Sequence, residues 1–205
     1  WKDGLNQDGA AQQVSQLQAH DGERGGRCIF DHMAEHADLD QVWMVVTPHN
    51  PLKKKSTLLA DHHRLEMVFL ATEDFPKIKP SDIEFKLSQP NYTVNTLVHL
   101  EEKFPEYRFS LIMGEDNLRS FHKWKNYEAI LAHHDIYVYP RIATTADPSE
   151  NSIFKNHPKI HMIDAPVVEI SSTSIRENIK KGKNVLPLLP SKVWEYIDHN
   201  NFYKK

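Results

Sequence analysis

Three hydroxyl residues stand directly before an arginine-bearing helical segment near the end of the chain. The stretch reads EISSTSIR, and its hydroxyls are Ser171, Ser172 and Thr173. Ser172 or Thr173 can cap a helix, and the backbone N–H groups at such a helix start bind anions. Arg176 lies close enough to the same end to contact phosphate through two N–H groups. The pattern indicates a phosphate site, although a plain N-cap beside a solvated arginine is the alternative.

A glycine and two acids follow an apolar run in the middle of the chain. The stretch MGEDN (113–117) places Gly114 at the end of that run and Asp116 two residues later. An acid at the end of a strand can accept hydrogen bonds from ribose hydroxyls, as in dinucleotide-binding folds. The alternative is a turn in which Asp116 caps a helix.

A basic loop follows an earlier apolar run. In TPHNPLKKK (47–55), Pro48 and Pro51 stiffen a segment that contains His49 and ends in three lysines, of which Lys54 is the second. Such lysines can meet phosphate as mobile point charges. A solvated basic loop without any ligand is the alternative.

A tryptophan stands beside polar residues in SFHKW (120–124). Trp124 can stack on a flat ring of a ligand, because its indole offers a large aromatic face. A tryptophan in the core or at its rim is the alternative.

One further motif points to different chemistry. HMAEH (32–36) matches the H-x-x-E-H pattern of inverted zinc peptidases, and His32 and His36 would share one helical face. A catalytic zinc also needs a third protein ligand, and no downstream glutamate stands out. A surface-facing helix is the simpler explanation, so a zinc hydrolase built on His32, Glu35 and His36 is kept only as a rival hypothesis.

Apolar runs and helical segments alternate along the chain between these motifs. The predicted strands cover 41–48, 81–87, 107–114, 135–141 and 159–166. The predicted helices cover 60–76, 91–106, 173–182 and 190–198, with one or two further helices over 117–134. Asp61 is the expected cap of the first helix, and the second is expected to begin, capped, near Thr93. This alternation predicts an α/β fold with a Rossmann-like, mostly parallel sheet flanked by helices. Ligands of such sheets bind beyond the carboxyl ends of the strands, where the motifs stand.

Composition and length restrict the class of protein. The 205 residues suit a single domain over 1–205, with an atypical segment at 1–30 and a small C-terminal helical part at 165–205. The net charge of -3 gives no reason to expect nucleic acid as a partner. Without a membrane span or a signal peptide, and with Cys28 as the single cysteine, a cytoplasmic location is expected. Residues 6–28 have no apolar period and are predicted to be loop or disorder.

Together the motifs resemble those of one enzyme family. From about residue 31 to residue 205 the chain closely resembles bacterial nicotinate-nucleotide adenylyltransferases, of the nucleotidyltransferase α/β-phosphodiesterase superfamily. The matching stretches are TPHNPLKKK, HHRLEMV, NYTVNTL, MGEDNLRSFHKW, EISSTSIR and LPSKVWEYI. Of these, ISSTSIR is the second signature of the family and is quite specific.

The resemblance implies a reaction, its substrates and roles for individual residues. Nicotinate mononucleotide attacks the α-phosphorus of ATP, deamido-NAD forms, and pyrophosphate leaves with the assistance of Mg²⁺. The residues implied at ATP are Ser171, Ser172, Thr173 and Arg176 for the phosphates, with Arg176 also catalytic, and Gly114 and Asp116 for the ribose and adenine. Those implied at the mononucleotide are His49 and Lys54 at the entrance, Tyr92 and Thr93 beside the carboxylate, and Trp124 on the pyridine ring. The oligomeric state, including a homo-oligomer, is left open.

The first signature of that family is missing. Members begin with a strand and a G-[TS]-F-[DN]-P-x-H-x-G-H loop, whose two histidines contact the ATP phosphates. WKDGL (1–5) is only loosely similar to the opening strand, and the stretch from His20 to Glu23 reproduces H-x-G with Glu23 in place of the second histidine. Its spacing and its flanks do not match. A fault in the coding sequence such as a frameshift, a replaced segment, and a divergent homologue without catalysis would each explain the difference.

Loss of the first strand would remove the centre of the sheet, so a sequence fault or a swapped segment that still supplies this strand is favoured. The leading hypothesis is therefore an adenylyltransferase that makes deamido-NAD. Its main rival is a homologue that binds nucleotides without catalysis. If residues 6–28 are genuine, weak or absent turnover is expected, because groups that stabilise the transition state are missing.

Overall fold

The computed structural model describes residues 12–18, 39–48, 59–140, 154, 156–165 and 172–204. Within them six parallel strands form one sheet: β1 (Gln12–Gln18), β2 (Gln41–Val45), β3 (Ile78–Ser81), β4 (Tyr107–Gly114), β5 (Ile136–Tyr139) and β6 (Ile160–Met162). Their order in space is β3-β2-β1-β4-β5-β6. The chain thus builds outward from β1 in one direction and then from β4 in the other. A ligand crevice is expected above the carboxyl ends of β1 and β4, where this order reverses.

Strand β1 corrects the prediction of loop or disorder for residues 6–28. Its main chain pairs with β2 on one side, Val14 opposite Gln41, and with β4 on the other, Gln12 opposite Tyr107. The segment lacks an apolar period, so no strand was predicted there. The strand is instead stabilised by its main chain, because N–H and C=O groups left unpaired between two central strands would cost free energy. The rest of 6–28 lies outside the described residues.

Helices cover both faces of the sheet, as predicted. The described helices are α1 (Asp61–Thr72), α2 (Thr93–Lys103), α3 (Glu115–Arg119), α4 (Tyr127–His133), α5 (Ser172–Lys180) and α6 (Ser191–His199), with short 3₁₀ turns at Ile83–Lys86, Phe121–Lys123 and Leu186–Leu188. Leu97 of α2 and Ile130 of α4 pack on one face of the sheet with Leu111, whereas Val68 of α1 packs on the other with Ile112. Consecutive residues of β4 thus supply opposite layers of the core.

The two C-terminal helices extend this second layer. Ile175 and Ile179 of α5 and Val193 of α6 share a buried cluster with Met67 of α1. The C-terminal helices therefore pack against α1 through an apolar contact, which stabilises them by burying side chains from water. Within the described residues no helix is both long and apolar enough to cross a membrane. The domain limits and the cytoplasmic location stay predictions.

Two local predictions, for the segment 81–87 and for the cap of α1, are wrong. The strand expected at 81–87 is instead β3, which ends at Ser81, followed by the 3₁₀ turn Ile83–Lys86. Because β3 is an edge strand, its Pro80 costs no internal ladder hydrogen bond. Asp61 does not cap α1. Its carboxylate instead accepts a hydrogen bond from the buried guanidinium of Arg64 at 2.6 Å.

Candidate functional site

The start of several helices lies at one edge of the sheet. A helix that connects two parallel strands begins where the preceding strand ends, so α1, α2 and α3 start at the carboxyl edge. This topology places the polar residues that follow β3 and β4, and the end of β2, beside the expected crevice. Elements distant in sequence thereby contribute to one candidate site.

Gly114 ends β4 and directly precedes α3, in agreement with the sequence prediction. A Cβ atom at this position would lie 2.5 Å from Asp116 Oδ1 and 3.3 Å from Tyr139 Cζ. The carboxylate of Asp116 therefore lies back over the end of the strand, in space that a glycine leaves open. The alternative in which Asp116 caps the helix is wrong, because α3 begins at Glu115 without a side-chain cap.

The first turn of α2 presents backbone N–H groups rather than a side-chain cap. The helix begins at Thr93 as predicted, and Tyr92 before it is extended, with φ −111° and ψ 133°. The expected cap is not formed, since the N-cap residue Tyr92 makes no side-chain hydrogen bond to this end. Thr93 is buried, at 6 % exposure. A helix start without a side-chain cap suits a small anion such as a carboxylate.

Trp124 lies next to the start of α2. It is half-buried and packs edge-on against Phe121, with ring centroids 5.5 Å apart. The neighbouring Lys125 places its Nζ 4.4 Å from the ring centroid of Tyr92, which joins this loop to α2. The indole Nε1 of Trp124 is buried and has no hydrogen-bond partner among the described residues. The structure thus brings the segment of Trp124 to Tyr92 at the start of α2. The family resemblance implies that both residues, with Thr93, bind the mononucleotide, which stays a prediction.

Arg176 lies at the start of α5. Its Nε donates to the Ser172 carbonyl at 3.2 Å and one terminal nitrogen donates to Thr173 Oγ1 at 3.4 Å. Its guanidinium also lies over the ring of Tyr203, 5.9 Å from the centroid. The arginine is therefore held near the first turn of its own helix, where it adds positive charge to the N–H end of the helix dipole. Sequence reasoning missed Tyr203, because nothing local in NNFYKK relates it to a residue 27 positions earlier.

A buried carboxyl near this edge was also missed. Glu84 lies in the 3₁₀ turn after β3 and is 0 % exposed, with Oε1 accepting a hydrogen bond from Thr96 Oγ1 at 2.7 Å. Burial raises the pKa of this carboxyl, and the hydroxyls of Thr96 and Thr47 act against that shift. The Thr47 contact is not a hydrogen bond of normal geometry, since Thr47 Oγ1 and Glu84 Oε2 have no such partner among the described residues. An acid in an expected strand looked solvent-facing, so the sequence offered no signal.

Several sequence predictions fall outside the described residues. They concern Ser171, His49, Lys54, the H-x-G stretch from His20 and the zinc motif of His32, Glu35 and His36. Thr47 and Pro48, which lead into His49, are buried just beyond the end of β2.

Comparison with known proteins gives a consistent result. Residues 24–178 match the cytidylyltransferase-like family model. The chain is 73% identical over 181 residues to a protein named probable nicotinate-nucleotide adenylyltransferase from Flavobacterium johnsoniae, covering 88% of this chain and 92% of the relative. A protein of the same name from Christiangramia forsetii is 62% identical over 180 residues, covering 88% of this chain and 91% of the relative.

A solved structure has the same fold. The Plasmodium falciparum nicotinic acid mononucleotide adenylyltransferase complexed with NaAD aligns with a TM-score of 0.78 and 20% sequence identity, over 94% of this chain and 98% of that chain. At this identity the likeness concerns the fold alone, and it agrees with the Rossmann-like sheet. Family membership follows from the curated relatives and from the family model. The chain belongs to the nicotinate-nucleotide adenylyltransferases of the cytidylyltransferase-like family.

Proposed function

We propose that the chain transfers the adenylyl group of ATP to nicotinate mononucleotide, with deamido-NAD and pyrophosphate as products. The observation that carries this proposal is the 73% identity to a relative of that named activity, over 88% of the chain. The arrangement of Gly114, Asp116, Tyr92 and Trp124 at one edge of the sheet supports it.

The reaction needs alignment and charge stabilisation rather than a covalent enzyme intermediate. A phosphate oxygen of the mononucleotide bonds to the α-phosphorus of ATP while the bond from that phosphorus to the bridging oxygen of the β-phosphate breaks, and pyrophosphate leaves. Catalysis then depends on in-line placement and on positive groups near the phosphates. Arg176 and the first turn of α5, with Ser171, Ser172 and Thr173, supply such groups.

The remaining site residues place the two nucleosides. Gly114 and Asp116 lie at the end of β4, where the carboxylate can accept from the ATP ribose. The start of α2 at Tyr92 and Thr93 receives the nicotinate carboxylate through its backbone N–H groups. Trp124 stacks on the pyridine ring. His49 and Lys54, which follow β2 in the sequence, are proposed to line the entrance for the mononucleotide.

Mg²⁺ is proposed to enter with ATP. Among the residues that the structure describes, no group of three or more His, Cys, Asp and Glu side chains could hold a metal ion. Magnesium in sites of this class is held largely by substrate phosphates and water, with few protein carboxylates. When bound, it would neutralise charge on the phosphates.

A second candidate function is nucleotide binding without turnover. It is favoured by one observation, that the family match begins at residue 24 and the printed sequence before it lacks the first histidine signature. Intact mass and N-terminal peptide mapping, on the sample assayed for pyrophosphate release, separate the two functions. A G-x-F-x-P-x-H-x-G-H loop with brisk turnover would support the enzyme. Residues 6–28 as printed, with no pyrophosphate released, would leave binding alone.

We expect Gly114→Ala to weaken ATP binding about tenfold, or about 1.4 kcal/mol. The new methyl would meet Asp116 Oδ1 and the Tyr139 ring, so the carboxylate must leave its position over the strand end. Isothermal titration calorimetry with ATP measures the change. Gly182→Ala is the matched control. Gly182 has φ +67° and open space around it, so an alanine there strains the backbone at a position outside the proposed site. Equal ATP affinity for the unaltered chain and Gly114→Ala would contradict the role of this position.

We expect Trp124→Ala to weaken binding of nicotinate mononucleotide about tenfold, in line with ring stacking worth about 1–3 kcal/mol. Trp124→Phe keeps an aromatic face and should lose much less. Titration with the mononucleotide measures the effect, and titration with ATP checks that the fold is intact. If Trp124→Phe and Trp124→Ala lose the same affinity, or if neither loses any, stacking is not the role of this residue.

A further inference from the structure

We propose that Glu84 is a positioning residue for the mononucleotide. Its carboxyl holds the end of β2 and the start of α2 in the relative position that the pyridine nucleotide requires. This inference rests on the proposed function and adds a residue to its site that no sequence motif had indicated.

Glu84 is joined to the start of α2 by two hydrogen bonds. Its Oε1 accepts from Thr96 Oγ1 at 2.7 Å, and its backbone carbonyl accepts from Asn91 Nδ2 at 3.2 Å. Thr96 Oγ1 also lies 3.3 Å from the carbonyl oxygen of Tyr92. The 3₁₀ turn therefore contacts Asn91 and Thr96. These two residues flank Tyr92 and Thr93, which are proposed to receive the nicotinate carboxylate. A shift of Glu84 would move Tyr92 and Thr93.

The same carboxyl faces the end of β2. Thr47 is 3 % exposed, and its hydroxyl is close enough to act on the Glu84 carboxyl. The main chain is tied here as well, since Val46 N donates to Ser81 O at 3.0 Å. In the sequence Thr47 is followed closely by His49 and Lys54. One side chain thus lies between the end of β2 and the start of α2.

The complete burial of the Glu84 carboxyl indicates a role beyond filling space in the core. Glu84 and Thr96 are each 0 % exposed, and Glu84 Oε2 lacks a hydrogen-bond partner among the described residues. A carboxyl in apolar surroundings costs free energy that a leucine or methionine of similar size would avoid. Burial also raises the pKa of Glu84, which favours the neutral acid, and a neutral acid can both donate and accept. The hydrogen bond with Thr96 can then form without a buried negative charge.

Titration calorimetry of the full chain, with nicotinate mononucleotide and separately with ATP, tests the inference. We expect Glu84→Ala to raise the Kd for the mononucleotide about tenfold while the Kd for ATP changes less than about twofold. Glu84→Gln keeps one donor and one acceptor in the same volume and should retain most of the affinity. The matched control is Ile83→Val, which removes a buried methylene from the same turn and should change neither Kd.

Thr96→Val provides a second variant should Glu84→Ala fold poorly. It removes the hydroxyl bonded to Glu84 at nearly constant volume and should raise the mononucleotide Kd about fivefold, the scale of one hydrogen bond. Unchanged mononucleotide affinity in Glu84→Ala or Thr96→Val, or equal losses for both ligands, would overturn the positioning role alone. If the unaltered chain binds neither ligand, the proposed function fails, and the inference fails with it.

Discussion

Supplying the missing histidine loop should raise kcat by about 10²–10³-fold. The variant replaces residues 1–31 with a segment that carries an opening strand and the loop G-[TS]-F-[DN]-P-x-H-x-G-H. The expected gain is large because imidazole groups at the phosphates stabilise charge that develops only in the transition state. The new strand would take the place of β1 between β2 and β4, so the rest of the sheet keeps its pairing. Steady-state pyrophosphate release from ATP and nicotinate mononucleotide measures the change.

The control for this graft removes the two imidazole groups and keeps the new strand. The same segment with both histidines of the loop replaced by alanine should turn over as slowly as the unaltered chain. ATP titration should show that all three proteins still bind the nucleotide. If the unaltered chain already turns over at the rate of the histidine graft, the printed segment supplies the missing groups in another way, and the prediction is wrong.

Arg176→Ala should lower kcat by about 10²–10³-fold, the typical loss when a preorganised donor to transition-state charge is removed. The arginine is held at the start of α5 by its bonds to the Ser172 carbonyl and the Thr173 hydroxyl. Arg176→Lys keeps the charge but loses the planar two-point contact, so an intermediate loss is expected. The rates are best measured in the histidine graft, where turnover is high enough to follow the decrease.

Arg108→Ala is the matched control for that experiment. Arg108 lies at the start of β4, at the opposite edge of the sheet, and its exposed side chain pairs with Asp135 at 2.6 Å. Its loss should leave kcat within about twofold, because exposed ion pairs contribute little. A kcat for Arg176→Ala equal to that of Arg108→Ala would show that Arg176 does not act on the phosphates.

Much of the fold and the site could be read from local pattern. The run YRFSLIMG is strand β4 over its full predicted length, and helix α2 begins at the predicted Thr93. Gly114, Trp124 and Arg176 could be assigned to one edge because parallel strands joined by helices bring their carboxyl ends together. The specificity of ISSTSIR and MGEDN then indicated the family, which the curated relatives confirm.

The tertiary structure alone decided the features that depend on partners far away in the chain. Strand β1 forms from a glutamine-rich segment because β2 and β4 both offer it main-chain partners, and no side-chain pattern encodes that position. Glu84 meets Thr96 and Thr47 only after β3 and α2 have packed, and Arg176 meets Tyr203 only when the chain end folds back. The sequence by itself determined which polar residues follow the strands at the carboxyl edge, because the hydrophobic periodicity that predicts each strand and helix is local. Which buried groups hold those residues in place depends on contacts between segments distant in the chain, and a local pattern does not encode such contacts.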